Sequence, residues 1–340
     1  MRRRTTAFTI ALGIALVMVS SAAMAQYQLT NLVSNQVGQA KHVDPLLVNG
    51  WGLAYGPGGP FWVNDQGSGW STIYDNTGAK QSLQVSVPSA SGSGPGMPSG
   101  LVFNGSQDFQ IQGGAPVFIF ATLDGTISGW VPSVNFNEAL IAVNNPGAVY
   151  TGLAVTSHTS GNTLFAADFV GNKVDMYDAS LTWMGSFTDS TVPAGFAPFG
   201  IDDIGGLVFV AYAAQDGGPG GYIDIYSEGG VFLKQLTSGG PLSQPWGFAA
   251  APKNFGALSN TLLISNNVPV NGKINAFNAL TGEFVGAVKD VNGKVIQIDG
   301  IWAIKFGGGS GKDGAKNTLF FTAGPQKELA GTFGKITAVK

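Results

Sequence analysis

Eight side chains with carboxylate or amide oxygens stand at the ends of short apolar segments that recur along the chain. They are Asn49, Asp65, Asp124, Asp168, Asp216, Asn267, Asp299 and Glu328. Such oxygens are the ligands that Ca²⁺ prefers, and several loops that converge could hold one ion between them. A metal ion held in this way activates water or polarises a carbonyl group. Asp299 and Glu328 are the candidate metal ligands, because Asp299 replaces a proline found in three other copies of its segment and glutamate is rare in the chain.

The same residues have a second interpretation that needs no ligand. Asp and Asn are frequent in hairpin turns, because their side chains bond the nearby backbone and they tolerate left-handed conformations. The stretches AADFVGN, which contains Asp168, and ATLDGT, which contains Asp124, are both typical of turns. The sequence leaves both interpretations open for each residue.

The segments belong to a unit that is repeated six times at intervals of about 50 residues. Its first segment reads NGWGLAYG from Asn49, PSGLVFN from Pro98, YTGLAVT from Tyr150, PFGIDDI from Pro198, PWGFAAA from Pro245 and DGIWAIKF from Asp299. In the last copy Ile301 is expected at the position of the glycine. Three more segments follow in each unit, rich in β-branched and aromatic residues and bounded by Gly, Asn and Asp, which favours strands over helices. The pattern predicts an all-β, six-bladed β-propeller with four-stranded blades.

The sixth unit contains only three of the four segments before Lys340. The stretch YQLTNLV, from Tyr27 to Val33, has the length and character of the missing strand. We expect this N-terminal strand to close the ring, because an open ring would leave unpaired strand edges. Residues 26–340 are therefore predicted to form one domain.

In such a propeller, the loops that lead into the first strands and the hairpins between the second and third strands lie on one face, at the mouth of the central channel. All eight oxygen-bearing residues are expected on this face. The glycine in the first segment, for example Gly52 or Gly200, is expected to give the backbone room where six strands crowd together. Trp51 and Trp246 precede this glycine, and they either pack between blades or form an aromatic rim at the channel mouth.

The repeated cycles resemble NHL-type propellers. Over the whole of residues 26–340 the chain is similar to a family of exported bacterial propeller proteins of unknown function. The phrases that carry this resemblance are LVNGWGLA, FWVNDQGSGWSTIYDNTG, FIFATLDGTISGW, LFAADFVGNKVDMYD, QPWGFAAAPKNFGALSNTLLISN, IDGIWAIKFG and LFFTAGPQKELAGTFGKI. The resemblance implies the fold and supplies no activity. Trp70 departs from it, since a smaller residue is expected there.

Residues 1–25 have the features of a cleaved signal peptide. Arg2–Arg4 form a basic region, Ala7–Val19 is apolar, and Ala23 and Ala25 fit the small residues that precede a cleavage site. The alternative is an N-terminal membrane anchor. If residues 1–25 are cleaved, the protein is expected to be exported to the periplasm or secreted, without membrane insertion. It is expected to be a monomer.

The composition excludes several classes of function. The chain has no Cys, and its only arginines are Arg2–Arg4, so disulfides, thiolate chemistry and the binding of nucleic acid or phosphorylated substrates are not expected. The two histidines, His42 and His158, are expected on different faces, which disfavours a Ser-His-Asp relay. His42, close to Asp44, is the one that could reach the channel-mouth face.

These observations favour a non-enzymatic exported binding protein that takes a protein, a glycan, a small molecule or an envelope component at its channel mouth. The alternative is a Ca²⁺-dependent, lactonase-like hydrolase with the metal on the propeller axis, and a quinone-binding oxidoreductase has no supporting motif. Whether the protein is an enzyme stays open, since no residue is marked as catalytic. The residues expected to face a ligand are Asn49, Trp51, Asp65, Asp124, Asp168, Asp216, Trp246 and Asn267, with Asp299 and Glu328 as metal ligands.

Overall fold

A computed structural model describes residues 26–157 and 161–339. The predicted signal peptide, residues 1–25, and His158 lie outside the described residues. In the described ranges, no helix has the length and apolar character needed to cross a membrane.

The described chain forms six sheets, one for each predicted blade, and the four strands of each blade pair antiparallel. The first two strands are β1 (Gln26–Ser34) and β2 (His42–Val43). Blade 1 contains β3 (Gly50–Ala54), β4 (Phe61–Asp65), β5 (Trp70–Tyr74) and β6 (Val85–Ser86). Blade 2 contains β7 (Pro98–Phe103), β8 (Phe118–Thr122), β9 (Thr126–Trp130) and β10 (Leu140–Asn144). Blade 3 contains β11 (Tyr150–Thr156), β12 (Thr163–Asp168), β13 (Lys173–Tyr177) and β14 (Trp183–Phe187).

Blade 4 contains β15 (Phe196–Asp203), β16 (Leu207–Ala214), β17 (Tyr222–Ser227) and β18 (Phe232–Ser238). Blade 5 contains β19 (Pro245–Ala250), β20 (Leu262–Asn266), β21 (Lys273–Phe277) and β22 (Phe284–Ala287), with a 3₁₀ turn at Gly256–Leu258. Blade 6 contains β23 (Ile301–Phe306), β24 (Thr318–Ala323) and β25 (Thr332–Val339), and β1 and β2 complete its sheet. The inner strands β3, β7, β11, β15, β19 and β23 contact one another in turn, and β23 returns to β3. The fold is therefore the predicted six-bladed propeller.

The ring is closed by the N-terminal strand, as predicted. β1 pairs antiparallel with β25, from Gln26 opposite Val339 to Ser34 opposite Thr332. The first described strand thus becomes the fourth strand of the last blade.

The strand register corrects the alignment of the sixth repeat. Leu53 pairs with Val63 in blade 1, and Ile304 pairs with Phe321 at the equivalent place in blade 6. Counting back one residue aligns Ala303 with Gly52, so the prediction that Ile301 occupies the glycine position is wrong. Trp302 is consequently the equivalent of Trp51.

The inner glycines lie where neighbouring blades touch, which confirms the reason given for them. A Cβ atom added to Gly52 would lie 2.5 Å from the carbonyl oxygen of Ser99 in blade 2. A Cβ atom at Gly200 would collide with the backbone of Trp246 in blade 5. Only glycine allows the inner strands to approach this closely.

Between the blades lie separate apolar clusters rather than one central core. Two faces follow from the topology. The upper face carries the loops that lead into the inner strands and the hairpins between second and third strands. The lower face carries the loops between first and second strands and between third and fourth strands.

Candidate functional site

Four of the predicted carboxylates accept hydrogen bonds from backbone N–H groups of loops on the upper face. The bonds are Asp124 to Ala90 (2.7 Å), Asp168 to Val149 and Gly171 (3.0 Å each), Asp216 to Gly218 (2.8 Å) and Asp299 to Asn271 (2.7 Å). The bonds from Gly171 to Asp168 and from Gly218 to Asp216 are the local bonds that the turn interpretation requires, whereas the other three join separate loops of the upper face. Contact between any of these four carboxylates and a ligand stays a prediction.

Asp65 lies at the end of β4 and is fully buried. Burial raises the pKa of its carboxyl group well above the usual value, and the nearby Asp44 carboxylate raises it further. A fully buried carboxyl group does not reach the surface of the upper face. The structure therefore places Asp65 inside blade 1 and not among the groups open to a ligand.

His42 and Asp44 precede blade 1, and Asp44 is buried whereas His42 is half-buried. Asp44 Oδ2 accepts a hydrogen bond from the Tyr74 hydroxyl at 2.7 Å and pairs with Lys80 Nζ at 2.8 Å. The Nε2 atom of His42 is buried and has no hydrogen-bond partner. Asp44 thus has a structural role.

Asn49 joins two blades beneath the upper face. Its Nδ2 donates to Gln66 Oε1 at 2.8 Å and to Glu328 Oε2 at 3.1 Å, while its Oδ1 accepts from Trp302 Nε1 at 3.0 Å. Burial raises the pKa of Glu328, and the hydrogen bond from Asn49 opposes this rise. Residues 326–328 all have positive φ angles (57°, 55° and 69°), an uncommon run for residues other than glycine. Asn49 is fully buried and bonded, so its side chain holds the blade 6 hairpin rather than facing a ligand.

Asn267 is 7% exposed and lies at the start of the blade 5 hairpin. Its backbone N–H donates to the carbonyl oxygen of Gln244 at 2.8 Å. Its Nδ2 atom is buried without a hydrogen-bond partner. Asn267 therefore packs against the loop before β19 and presents little surface to a ligand.

The predicted metal ligands do not gather other acidic residues or histidines around them. Across residues 26–157 and 161–339, no three His, Asp or Glu side chains are placed to hold a metal ion. Asp299 bonds the Asn271 backbone, and Glu328 bonds Asn49. A Ca²⁺ site at Asp299 and Glu328 stays a prediction that would depend on backbone or amide oxygens for its remaining ligands.

Four aromatic rings fill the channel just below the upper face. We call Trp51, Phe199, Trp246 and Trp302 the aromatic plug. All four rings precede the inner glycine position, and the exposed fraction of each residue is at most 8%. Trp51 stacks on Trp302 with ring centroids 3.5 Å apart, and Trp246 meets both edge-on at 6.1 and 5.6 Å. Trp51 and Trp246 therefore pack against other aromatic rings of the fold and do not form a rim that is open to solvent.

The plug level is also tied together by hydrogen bonds between blades. Trp246 Nε1 donates to the carbonyl oxygen of Thr151, two blades away, at 3.1 Å. The Thr322 hydroxyl donates to the Trp51 carbonyl at 2.6 Å, and the Thr151 hydroxyl to the Phe199 carbonyl at 2.7 Å. Each inner strand is the edge strand of its sheet, so some of its carbonyl groups have no partner strand on the channel side. These bonds supply hydrogen-bond donors to such carbonyl groups.

Between the plug and the lower face the channel contains a cavity of about 230 Å³, which we call the axial cavity. Inner strands of all six blades line it, and in each strand the residue after the inner glycine position is large and apolar. These residues are Leu53, Leu101, Leu153, Ile201, Phe248 and Ile304. Each inner strand is the last strand of its sheet, so its free backbone edge faces the channel. The side chains of these six residues are almost fully buried between the blades, so the axial cavity presents peptide donors and acceptors together with the half-buried side chains of Tyr55, Phe103 and Val155.

The axial cavity also contains every charged side chain of the six inner strands. These are Asp202 and Asp203 on β15 and Lys305 on β23. Asp202 and Lys305 occupy equivalent positions in blades 4 and 6, and the small Ala249 stands at this position in blade 5 between them. Lys305 Nζ lies 4.0 Å from Asp202 Oδ2, and the two side chains are 39% and 31% exposed.

Asp202 and Asp203 differ in what they bond. Asp203 Oδ1 accepts a hydrogen bond from the Gly206 backbone at 2.9 Å and so closes the loop after β15. Burial raises the pKa of Asp202, and the positive charge of Lys305 opposes this rise. Asp203 is therefore held by its own loop, whereas Asp202 faces Lys305 across the axial cavity.

Sequence reasoning missed Asp202, Lys305, Phe199 and Trp302. The signal was present in two of the six repeated phrases, PFGIDDI and DGIWAIKF, which alone carry charges after the glycine position. Recognising it requires the strand register, because only the register shows that Asp202 and Lys305 are equivalent residues.

Comparison with known proteins finds relatives in a giant virus. No protein-family profile matches the chain. Uncharacterized protein L690 of Acanthamoeba polyphaga mimivirus is 30% identical over 302 residues, covering 82% of this chain and 78% of the viral one. Uncharacterized protein R648 of the same virus is 29% identical over 337 residues, covering 92% of this chain and 81% of its own. The bacterial and NHL-type membership expected from the sequence stays a prediction, since these relatives are viral.

Among solved structures, the chain is similar to virginiamycin B lyase from Staphylococcus aureus. The TM-score is 0.56 with 14% sequence identity, and the match covers 93% of this chain and 100% of the lyase. At this identity the likeness concerns the fold alone.

Proposed function

We propose that this chain, which belongs to the family of the mimivirus protein L690, is a binding protein whose ligand occupies the axial cavity. Cavities that combine apolar walls with a few placed polar groups are the usual sites for small ligands. A volume of about 230 Å³ suits a small molecule of up to about ten heavy atoms, and not a folded protein or a long glycan.

The placement of charge is the observation that carries this proposal. A few charged groups placed in a cavity fix the orientation of a ligand and give the site its specificity. Asp202 and Lys305 face each other at 4.0 Å, which is beyond hydrogen-bond distance. The other four blades have Ala or Val at the equivalent position of the inner strand. A ligand that bonds both groups would supply the missing interactions.

This proposal moves the binding site away from the face predicted from the sequence. The upper mouth of the channel lies above the aromatic plug, while the axial cavity lies below it. A small ligand would therefore enter from the lower face.

A cavity-filling variant tests the proposal. Val155 lines the axial cavity, and the equivalent residues Tyr55, Phe103 and Phe306 are aromatic, so Val155→Phe should fold normally. We expect ligand-observed NMR with a library of small fragments to find binders of the wild type that Val155→Phe no longer binds. Val231→Phe is the matched control, because Val231 is 63% exposed on the outside of blade 4.

Two results would contradict the proposal. One is a complete lack of binders for the wild-type protein in a library of several hundred fragments. The other is a set of binders that Val155→Phe and wild type bind equally well. If Val231→Phe lost the same binders as Val155→Phe, the loss of binding would come from adding a phenyl ring anywhere and not from filling the axial cavity.

Export of the protein is a further part of the proposal. It is supported by the basic and apolar pattern of residues 1–25. The intact mass of the protein expressed from its full reading frame should correspond to a chain that begins at Gln26. A mass that retains residues 1–25 would contradict export by cleavage.

A further inference from the structure

We infer that the axial cavity takes a small zwitterion of the α-amino acid class, with an ammonium group, an adjacent carboxylate and an apolar remainder. This inference rests on the proposed function, since it names the ligand of the same cavity. It is carried by the arrangement of Asp202, Lys305 and the half-buried apolar lining.

The two charged side chains present opposite charges at a spacing that such a ligand matches. Lys305 Nζ and Asp202 Oδ2 are 4.0 Å apart. The nitrogen of an α-amino acid lies between roughly 2.7 and 3.6 Å from its carboxylate oxygens, from standard bond lengths. The ligand ammonium can donate to Asp202 while its carboxylate accepts from Lys305, and both bonds are then charge-assisted.

The rest of the lining suits an aliphatic side chain. Leu53, Leu101, Leu153 and Ile201 line the cavity from four successive blades, but their side chains are almost fully buried between the blades. The half-buried Tyr55, Phe103 and Val155 offer the apolar surface that a ligand can contact. The free edges of the inner strands offer carbonyl groups to the remaining ammonium hydrogens. A cavity of about 230 Å³ has room for a molecule of the size of valine or leucine.

A ligand with only one charge fits less well. A lone ammonium group at Asp202 would stand beside the Lys305 ammonium group and leave that group without a carboxylate partner. A lone carboxylate at Lys305 would stand beside Asp202 and Asp203. Like charges at such distances repel, especially where water is partly excluded. The zwitterion is the ligand that keeps every charge paired.

Isothermal titration calorimetry with three matched compounds tests this inference on residues 26–340. The compounds are L-leucine, 3-methylbutylamine, which lacks the carboxylate, and 4-methylpentanoate, which lacks the ammonium group. We expect L-leucine to bind at least about tenfold more tightly than either analogue, because each analogue loses one charged hydrogen-bond pair.

Two variants identify the partner of each charge. In Asp202→Asn, L-leucine should lose its advantage over 4-methylpentanoate and keep its advantage over 3-methylbutylamine. In Lys305→Met the pattern should be reversed. Asp290→Asn, in the loop between β22 and β23, is the matched control and should bind all three compounds as the wild type does. A variant that only disturbs the fold would weaken all three compounds together.

Several outcomes would overturn the inference. Either singly charged analogue could bind the wild type as tightly as L-leucine, or L-leucine could fail to bind at millimolar concentration. In that case the ligand class is wrong, and the proposed function survives if fragments still bind the wild type and not Val155→Phe. If L-leucine binds Val155→Phe as well as the wild type, its site is outside the axial cavity and the inference also fails.

Discussion

Replacing Gly200 by alanine should destabilise the propeller much more than the same change at Gly152, although the two glycines are equivalent in blades 4 and 3. A Cβ atom at Gly200 would collide with the Trp246 carbonyl group and would lie 2.7 Å from the Trp246 Cα. At Gly152 the nearest atoms, in Ile201 and Phe199, are 3.2 Å away. The atoms at Gly200 are backbone and cannot rotate aside, so the contact between blades 4 and 5 would have to open.

The expected size follows from two opposing effects. Overpacking costs about 1–3 kcal/mol, and the loss of chain freedom in the unfolded state returns about 0.4–1 kcal/mol on changing Gly to Ala. We expect Gly200→Ala to lower the free energy of unfolding by about 2 kcal/mol or more. Gly152→Ala should stay within about 1 kcal/mol of the wild type, because the two effects nearly cancel there.

Urea unfolding followed by tryptophan fluorescence measures both variants, since Trp246 reports on the plug next to Gly200. The slopes of the transitions should agree, so that the midpoints can be compared as free energies. Equal losses in both variants would refute the idea that backbone approach between particular inner strands decides where glycine is needed. So would a neutral Gly200→Ala.

Three further predictions concern the upper face and the buried acids. Asn49→Ala should lower the free energy of unfolding by about 3 kcal/mol in the same urea assay, because it leaves the buried Trp302 Nε1 without its acceptor and removes the bonds to the blade 6 hairpin. Burial raises the pKa of Asp224 to about 7, so the protonated form is stabilised by folding. The contribution of Asp224 to the free energy of unfolding is full below its unfolded-state pKa near 4 and is lost as the pH rises through 7. In Asp224→Asn the free energy of unfolding should therefore decrease less between pH 5 and pH 8 than in the wild type. Millimolar Ca²⁺ should leave the melting temperature unchanged, whereas a rise that Asp299→Ala and Glu328→Ala abolish would establish the metal site.

The fold could be predicted because the same physical demand recurs in every blade. Each inner strand passes close to its neighbour, and glycine meets that demand in five of the six phrases, as at Gly52 and Gly200. The sixth phrase has Ala303 instead, so the alignment slipped and Trp302 was not recognised. The equivalence of Ala303 and Gly52 is visible only in the strand register, which the sequence does not contain.

The candidate site could be predicted only in part, because turns and ligand sites use the same residue types. Asp168 and Asp216 were visible in the sequence, but whether an Asp oxygen accepts from a backbone N–H depends on loop geometry. Asp202 and Lys305 stand about 100 residues apart in the chain, and their approach depends on the ring bringing blades 4 and 6 across blade 5. Such an approach is set by architecture, and a local motif cannot show it.

The antiparallel pairing of β1 with β25 has a mechanical consequence. Gln26 lies opposite Val339, so a force that pulls these two residues apart breaks the strand pair one rung at a time from that end. A force applied between Ser34 and Val339, at opposite ends of the pair, loads all the rungs together. The ring should therefore peel open at a low force in the first direction and resist a much higher shearing force in the second.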